Sequence, residues 1–174
     1  MNAPFAGKNG ESAFARLCDD LRPDLYRFAF WLARDRNVAE DVVQETLLRA
    51  WRSRENLVGA AAAKAWLLTI VRREHARLYE RKRFETVPID RLVGEESPEL
   101  AAAEAQETLD LRRAILALED TYREPLVLQV LMGCTTEDIA MQLGLTQGAV
   151  LTRLFRARQK LRAALGMATD EEAE

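Results

Sequence analysis

The stretch GLTQGAVLTRLFRARQK, Gly144–Lys160, carries the clearest structural signal in the sequence. Gly144 can adopt the positive-φ conformation that ends a helix sharply, and Thr146 is a natural N-cap for a following helix. The stretch has four basic side chains and no carboxylate, and Arg162 adds a fifth cation just beyond it. The sequence therefore predicts a helix that begins near Thr146 and carries only positive charges.

A shorter helix is predicted immediately upstream. Thr135 or Thr136 can act as its N-cap, and the sequence does not decide between them. Small Ala140, turn-forming Gly144 and branched Val150 follow at the spacing typical of a helix-turn-helix. In that motif the alanine allows the two helices to approach and the valine packs between them. The two helices are therefore predicted to form a helix-turn-helix.

On a helical wheel, the final helix has an apolar side and a polar side. Four apolar side chains share a stripe that must face a core: Val150, Leu154, Ala157 and Leu161. The opposite side presents Thr152, Phe155, Arg156 and Gln159. Further cations flank this outer side: Arg153, Arg158, Lys160 and Arg162. Such a surface suits the phosphates of a DNA major groove, which would repel carboxylates. A solvated amphipathic helix is the alternative interpretation.

The charges of the chain are segregated by sign, although its 174 residues carry a formal charge of only −3. Residues 72–83 hold six cations against two carboxylates. Residues 85–110 hold eight carboxylates against one arginine, and the tail from Asp170 adds four acids. Two basic segments therefore flank an acidic one, so the acidic total is only a weak argument against a nucleic-acid partner.

Apolar residues recur every three or four positions and strand signals are nearly absent, which predicts an all-α protein. One apolar stripe contains Phe14, Leu17 and Leu21, and Pro23 is expected to start a further helix with Leu25, Phe28 and Leu32. A third helix is expected to follow Asn37 as its N-cap, and a fourth, long helix contains Trp66 and Ile70. Later helices are expected around Leu109–Leu118 and, after Pro125, at Leu126–Met132.

The linker is recognisable by its composition, since it is acidic and contains Pro88, Gly94 and Pro98. We therefore expect two small helical domains joined by a flexible acidic linker. The expected limits are 10–84 for the N-terminal domain, 85–104 for the linker, 105–166 for the C-terminal domain with the helix-turn-helix, and 167–174 for an acidic tail.

Several classes of protein are not indicated. Cys18 and Cys134 stand far apart, so the sequence predicts neither a disulfide framework nor a zinc site. No apolar stretch approaches the length of a membrane span, and no apolar signal segment is found, which favours a cytoplasmic protein without membrane insertion. Neither a metal cluster, a cofactor motif nor a nucleophile with its base is found, so no catalytic residue, metal or cofactor is predicted.

Three motifs define the pattern of the chain: NVAEDVVQETLLRAW at Asn37–Trp51, AWLLTIVRREHARLYERKR at Ala65–Arg83 and EDIAMQLGLTQGAVLTRLFRARQKL at Glu137–Leu161. Together they resemble the extracytoplasmic-function sigma factors, which are small two-domain bacterial transcription initiation factors. They stand in the family's order, and the resemblance covers about residues 12–165. It implies a protein without enzymatic activity that binds core RNA polymerase and promoter DNA, and that an anti-sigma factor commonly holds inactive.

The resemblance also implies roles for residues of the N-terminal domain. With Val42, Thr46 and Ala50 buried, the surface that binds the polymerase clamp would consist of Asp41, Gln44, Glu45, Leu48 and Arg52. The minus-10 element would be bound by Asn56, Lys64, Arg72, Arg73, Arg77 and Arg81, with a base-capturing loop at Asn56–Ala63. Four aromatic residues could stack on melted DNA, although core packing is the preferred interpretation for each: Phe28, Trp31, Trp66 and Tyr79.

In the C-terminal domain, the resemblance implies that the minus-35 element is bound by Thr152, Arg153, Phe155, Arg156, Arg158, Gln159 and Lys160. The chain departs from the family's pattern at several positions. Leu118–Glu119 replaces a frequent Leu-Pro pair, Leu151 replaces a common basic residue, and Thr152 replaces a common serine. Arg73 and Arg77 stand where asparagine and aspartate are frequent. The changes at Leu151 and Thr152 imply the loss of one phosphate or base contact and an altered minus-35 preference, and Arg73 and Arg77 make the long helix more basic than is usual in the family.

Alternatives remain for the linker and for the whole protein. In the family the linker threads toward the RNA channel, where its charge could mimic a transcript, but a solvated tether explains the same composition. The second hypothesis for the protein is a stand-alone dimeric helix-turn-helix regulator that binds a palindromic operator without polymerase. An enzyme that acts on nucleic acid has little support.

Overall fold

The computed structural model describes Phe5 and residues 7–84 and 106–167. Within these ranges the chain forms seven α-helices and no strand, which confirms the predicted all-α class. The first three are α1 (Gly7–Ala33), α2 (Arg36–Arg52) and α3 (Ala60–Phe84), and a short 3-10 turn at Arg54–Asn56 follows α2. The others are α4 (Gln106–Ala117), α5 (Asp120–Val130), α6 (Thr136–Leu143) and α7 (Gln147–Ala164).

The chain divides into two compact units, Met1–Gly94 and Glu95–Glu174. The described helices α1 to α3 belong to the first unit and α4 to α7 to the second. The predicted linker at 85–104 and the acids of the tail lie outside the described residues. The domain limits taken from the sequence therefore stay predictions.

The first unit is a three-helix bundle whose core follows the apolar periodicity of the sequence. All three helices pack against one another. Phe14 and Phe28 of α1, Val42 of α2, and Leu67 and Val71 of α3 are fully buried. Because apolar positions recur every three to four residues, each helix presents one continuous face to the other two.

The predicted helix start at Pro23 is wrong, because α1 continues through this residue. A proline inside a helix removes one backbone hydrogen bond and costs about 3 kcal/mol or more. The buried face extends across the proline, with Phe14 and Cys18 before it and Leu25 and Phe28 after it. Pro23 itself is exposed, so water can reach the backbone around it. Packing on both sides of Pro23 therefore keeps the two predicted helices as one.

The N-cap of α2 is Asp35 rather than the predicted Asn37. The Asp35 carboxylate accepts a hydrogen bond of 2.9 Å from the backbone N–H of Val38. Arg34, with φ of 58°, is in the left-handed region and turns the chain between α1 and α2. A carboxylate at the N-cap also faces the positive end of the helix dipole, which favours Asp35 over the neutral Asn37.

A similar correction applies in the second unit, where the helix predicted after Pro125 begins earlier, at Asp120. Pro125 lies inside α5 and is buried together with Leu126, Val127 and Leu128. The proline ring is itself part of this apolar face, so its burial compensates for the missing backbone donor.

Arg123 is the buried polar residue that joins α4 to α5. Its side chain is 2% exposed. The guanidinium donates to the carbonyl oxygens of Leu118 at 2.7 Å and Leu116 at 3.4 Å, and it pairs with Asp120. The last carbonyls of a helix have no partner within that helix. Arg123 therefore donates hydrogen bonds to backbone carbonyl groups where α4 ends. No pattern in the sequence predicted this role.

Both cysteines are free thiols. Cys18 is buried on α1, and this burial, reinforced by the nearby charge of Asp19, raises the pKa of its thiol to about 11. The thiolate is the nucleophilic form of cysteine. At neutral pH Cys18 is therefore a structural residue with little reactivity.

We expect Arg123→Ala to destabilise the second unit by about 2 kcal/mol or more, because the buried Leu118 carbonyl and the partly buried Leu116 carbonyl lose their donor. Urea unfolding followed by far-UV circular dichroism measures the change, and hydrogen exchange of peptides from α4 and α5 locates it. Arg113→Ala is the matched control. Arg113 is exposed on α4 and its bond to Asp110 is 3.5 Å, so a change within about 0.5 kcal/mol is expected. Equal effects of the two substitutions would contradict the role of Arg123.

Candidate nucleic-acid interface

The predicted helix-turn-helix is present in the second unit. Thr135, not Thr136, is the N-cap of α6, and its hydroxyl accepts a hydrogen bond from the Asp138 backbone N–H. Gly144 ends α6 in the left-handed conformation, with φ of 65° and ψ of 38°. The Thr146 hydroxyl then accepts from the Ala149 N–H at 3.2 Å and starts α7. The turn predicted around Gly144 is therefore confirmed.

The α6 cap is a reciprocal capping box. The Asp138 carboxylate accepts hydrogen bonds from the Thr135 hydroxyl at 2.6 Å and from the Thr135 backbone N–H at 3.0 Å. These two donors hold the pKa of Asp138 below its ordinary value. Two unpaired backbone donors at the start of α6 are satisfied in this way, which stabilises the helix that supports α7.

The two sides of α7 lie as the helical wheel predicts. Val150, Leu154 and Ala157 are buried, and Leu161 is half-buried. The predicted outer side is exposed, and its members are Thr152, Phe155, Arg156 and Gln159. The Thr152 hydroxyl donates to the Gly148 carbonyl oxygen at 2.9 Å within the helix. The predicted orientation of α7 is therefore confirmed, while its role in minus-35 binding stays a prediction.

The predicted flanking cations divide into two groups. Arg158 donates to the Gln129 side-chain oxygen at 2.6 Å. Lys160 pairs with Glu119 at 3.4 Å, and its ammonium lies 5.2 Å from the ring centre of Tyr122. These two cations are thus held by side chains in and next to α5. The other two flanking cations are Arg153, which is half-buried, and Arg162, which is exposed.

In the first unit, residues of the predicted polymerase surface and of the predicted minus-10 surface line one cleft of about 350 Å³. The α2 wall contains Asp41, Val42, Gln44, Glu45, Leu48 and Arg49, and the α3 wall contains Glu74, Arg77, Leu78 and Arg81. Asp41, Gln44 and Leu48 are exposed, and Glu45 is half-buried. Four residues of the predicted polymerase surface thus line the same cleft as two residues of the predicted minus-10 surface, which no pattern in the sequence indicated.

Glu74 holds the two walls of this cleft together. Its side chain is 9% exposed, and its carboxylate lies 2.7 Å from the Arg49 Nε and 3.5 Å from an Arg77 nitrogen. Arg49 also contacts Glu45 at 3.2 Å. A buried carboxylate needs such partners to offset its desolvation. One feature of the sequence indicates this role, since Glu74 is one of only two acids within the basic segment 72–83.

The other predicted minus-10 residues are spread over α3 and the turn before it. Arg73 is exposed and Arg72 is half-buried on α3, while Asn56 is exposed in the 3-10 turn. Lys64 forms an ion pair of 2.7 Å with Asp24 of α1. Arg52, the remaining predicted polymerase contact, is exposed at the end of α2 and is not among the residues that line the cleft.

The predicted loop Asn56–Ala63 is too long, because α3 already begins at Ala60. Four consecutive alanines, Ala60 to Ala63, have the highest helix propensity and extend α3 backwards. Only 57–59 connects the 3-10 turn to α3. Leu57 is buried in this connection, while Val58 is almost fully exposed.

The aromatic candidates differ in their environments. Phe28 and Trp31 are buried, as expected, and half-buried Trp66 packs against the Phe14 ring with centroids 6.4 Å apart. The preference for core packing is wrong for Tyr79, which is half exposed. Trp51 was not among the predicted aromatic residues, yet its ring is exposed and the Arg54 guanidinium lies 4.9 Å from the ring centre.

Two further properties concern the described part of the chain alone. No group of three or more histidine, cysteine, aspartate or glutamate side chains there could hold a metal ion. Among the same residues, no helix combines the length and the apolar character that a membrane crossing requires.

The helix-turn-helix gives the second unit the architecture of a DNA-binding domain. Comparison with known proteins identifies the family of both units. Residues 17–85 match the family model for Sigma-70 region 2, and residues 108–161 match the model for Sigma-70, region 4. The chain is 35% identical over 162 residues to the ECF RNA polymerase sigma factor SigL of Mycobacterium tuberculosis, which covers 89% of this chain and 90% of SigL. The chain belongs to the extracytoplasmic-function (ECF) sigma factors.

Two other relatives show how far the similarity extends. The chain is 31% identical over 156 residues to the ECF RNA polymerase sigma factor SigE of Mycolicibacterium smegmatis, which covers 86% of this chain but only 60% of SigE. The sigma factor RpoE, solved in complex with the anti-sigma factor NepR from Bartonella quintana, matches with a TM-score of 0.76 and 28% identity. That match covers 90% of this chain and 99% of RpoE.

The capping box predicts a defined dependence of stability on pH. Because the pKa of Asp138 is lowered in the folded state, its stabilising effect is complete above the unfolded-state pKa of about 3.9. It is lost as the pH falls through the lower folded-state value. We therefore expect Asp138→Asn to be less stable than the unchanged protein at pH 7, with a smaller difference at pH 3.

Urea unfolding at a series of pH values measures this difference, and carboxyl-carbon NMR gives the pKa directly. Glu137→Gln is the matched control, since it removes an exposed carboxylate from the same helical turn. Its effect on stability should be smaller. An Asp138 pKa at or above its ordinary value would contradict the capping role.

Proposed function

We propose that this chain is a promoter-specificity subunit, which binds core RNA polymerase and directs transcription initiation at a particular set of promoters. It has no catalytic activity of its own and acts in the cytoplasm, where the polymerase carries out the chemistry. The observation that carries this proposal is the outer face of α7, where Thr152, Phe155, Arg156 and Gln159 are exposed and no carboxylate is present on the helix.

The α7 helix suits the major groove of the minus-35 element. Its apolar stripe is buried, so the outer side is free to approach DNA. Arg156 can bond to a guanine edge or to a phosphate, and Gln159 can bond to an adenine edge. Arg153, Arg158 and Lys160 complete the proposed contact set. Two of these cations, Arg158 and Lys160, contact side chains in and next to α5.

The first unit would bind the polymerase and the minus-10 element. Leu48 is 54% exposed among the polar residues Asp41 and Gln44, a composition that suits a protein contact. On α3, the exposed residues Arg73, Arg77 and Arg81 follow at intervals of four and share one side of the helix. Arg72, Lys64, Asn56, Glu45 and Arg52 are assigned to the same two surfaces by the resemblance alone.

The proposal includes an anti-sigma factor as partner. This partner is supported by the similarity to RpoE, which was solved in complex with the anti-sigma factor NepR and whose match extends over 90% of this chain. The proposed functional limits are those expected from the sequence, with polymerase and minus-10 binding in residues 10–84 and minus-35 binding in residues 105–166.

Reconstitution with core RNA polymerase of the source bacterium tests the function. We expect the full chain to direct transcription from a subset of fragments in a genomic promoter library, whereas core polymerase alone should show no such preference. A Leu48→Glu variant should keep its helix content but lose binding to core polymerase. If the chain instead bound a palindromic site as a dimer without polymerase, light scattering and gel shift would identify the alternative regulator.

Arg156→Ala tests the minus-35 assignment within the reconstituted holoenzyme. We expect promoter binding to weaken by about 1–3 kcal/mol, with relaxed specificity at one base pair, if Arg156 bonds to a base. If it bonds only to phosphate, the salt dependence of binding should fall by about one counterion with specificity unchanged. Arg113→Ala, on exposed α4, is the matched control. An Arg156 variant with unchanged binding and salt dependence would exclude this residue from the site.

A further inference from the structure

Two large apolar side chains lie exposed on α7, although the helix already has a buried apolar stripe. Leu151 is 56% exposed and Phe155 is 60% exposed. Residues four apart on a helix are surface neighbours, with Cβ atoms about 5–6 Å apart. Leu151 and Phe155 therefore form an adjacent pair, here called the α7 apolar pair.

The surroundings of the α7 apolar pair are cationic and polar. Arg156 follows Phe155 directly, and exposed Arg162 lies about two turns beyond Phe155 along the same side. Thr152, which lies between the pair in sequence, already uses its hydroxyl proton within the helix. The helix Gln147–Ala164 contains no aspartate or glutamate. An occupant of this surface must therefore be negatively charged overall and must still offer an apolar group to Leu151 and Phe155.

Duplex DNA meets both requirements at one kind of base pair. In the major groove, thymine presents the C5-methyl group, while the other three bases present hydrogen-bonding groups. Phosphates on both sides of the groove match the cations that surround the pair. A protein partner would have to place carboxylates around an apolar contact, whereas duplex DNA carries negative charge along its whole backbone.

We propose that Leu151 and Phe155 read thymine methyl groups in the upstream promoter element, so that the protein selects thymine at one or two defined positions. This inference rests on the proposed function, because it assigns a base preference to α7. The pair contributes specificity through apolar contact, whereas Arg156 and Gln159 contribute hydrogen bonds. Replacing a thymine by another base would change both shape and hydrogen bonding, so the methyl group has to be removed alone.

Deoxyuridine makes this test possible, since it differs from thymidine only by the missing C5-methyl group. The reconstituted holoenzyme first selects its preferred upstream element from a promoter library randomised at that element. Each thymine of the selected element is then replaced in turn by deoxyuridine, and binding of holoenzyme is measured for each duplex. We expect about three- to five-fold weaker binding at one or two positions, the effect of losing one buried methyl contact.

Two variants connect that loss to the α7 apolar pair. In Leu151→Ala and Phe155→Ala holoenzymes, the difference between thymine and deoxyuridine should shrink toward one-fold at the position that each side chain contacts. Val130→Ala is the matched control, because Val130 is also an exposed apolar residue of the second unit but lies on α5. It should keep the full deoxyuridine effect. Helix content by circular dichroism confirms that each variant is folded.

The outcomes separate this inference from the proposed function. Promoter-specific transcription with no deoxyuridine effect at any position would overturn the thymine reading and leave the function intact. An effect that persists unchanged in a Leu151→Ala, Phe155→Ala double variant would also overturn it. A holoenzyme without promoter preference would overturn the proposed function and the thymine reading together.

Discussion

Burial of Val150, Leu154 and Ala157 determines where every other side chain of α7 points. An α-helix has one rotational position in which a given stripe meets the core, so fixing that stripe also fixes the opposite side. On α7 the opposite side contains Arg156 and Gln159 beside two exposed apolar residues. The polar and cationic side chains of α7 therefore face solvent because the rest of the second unit buries the small apolar stripe.

Among the residues that the structure describes, each unit has one buried charged side chain with a defined set of partners. Glu74 joins α2 and α3 through Arg49, and Arg123 donates to the chain where α4 ends. Burying either charge alone would be costly, so the bonds that satisfy it are tied to one arrangement of the neighbouring helices.

Apolar periodicity was sufficient to predict the all-α class and the two sides of α7, and glycine and capping residues were sufficient to predict the turn at Gly144. These features depend on local conformation and on spacing along one helix. The errors at Pro23 and Pro125 have a different origin, since packing against other helices overrode the local signal. Asp35 and Asn37 are both residue types that are favoured at an N-cap, so this preference alone does not distinguish them. Arg123 and Glu74 could not be placed from the sequence, because their partners are set by tertiary contacts.

The cleft of the first unit links two sets of residues that the resemblance treats separately. Glu45 belongs to the proposed polymerase surface and Arg77 to the proposed minus-10 surface, and both connect to Glu74, Glu45 through Arg49. Residues in one network of ion pairs do not contribute independently to stability. A substitution on one wall therefore changes the electrostatic environment of the other wall. Loss of DNA binding after a change at Glu45, or loss of polymerase binding after a change at Arg77, would not by itself assign that residue to the affected surface.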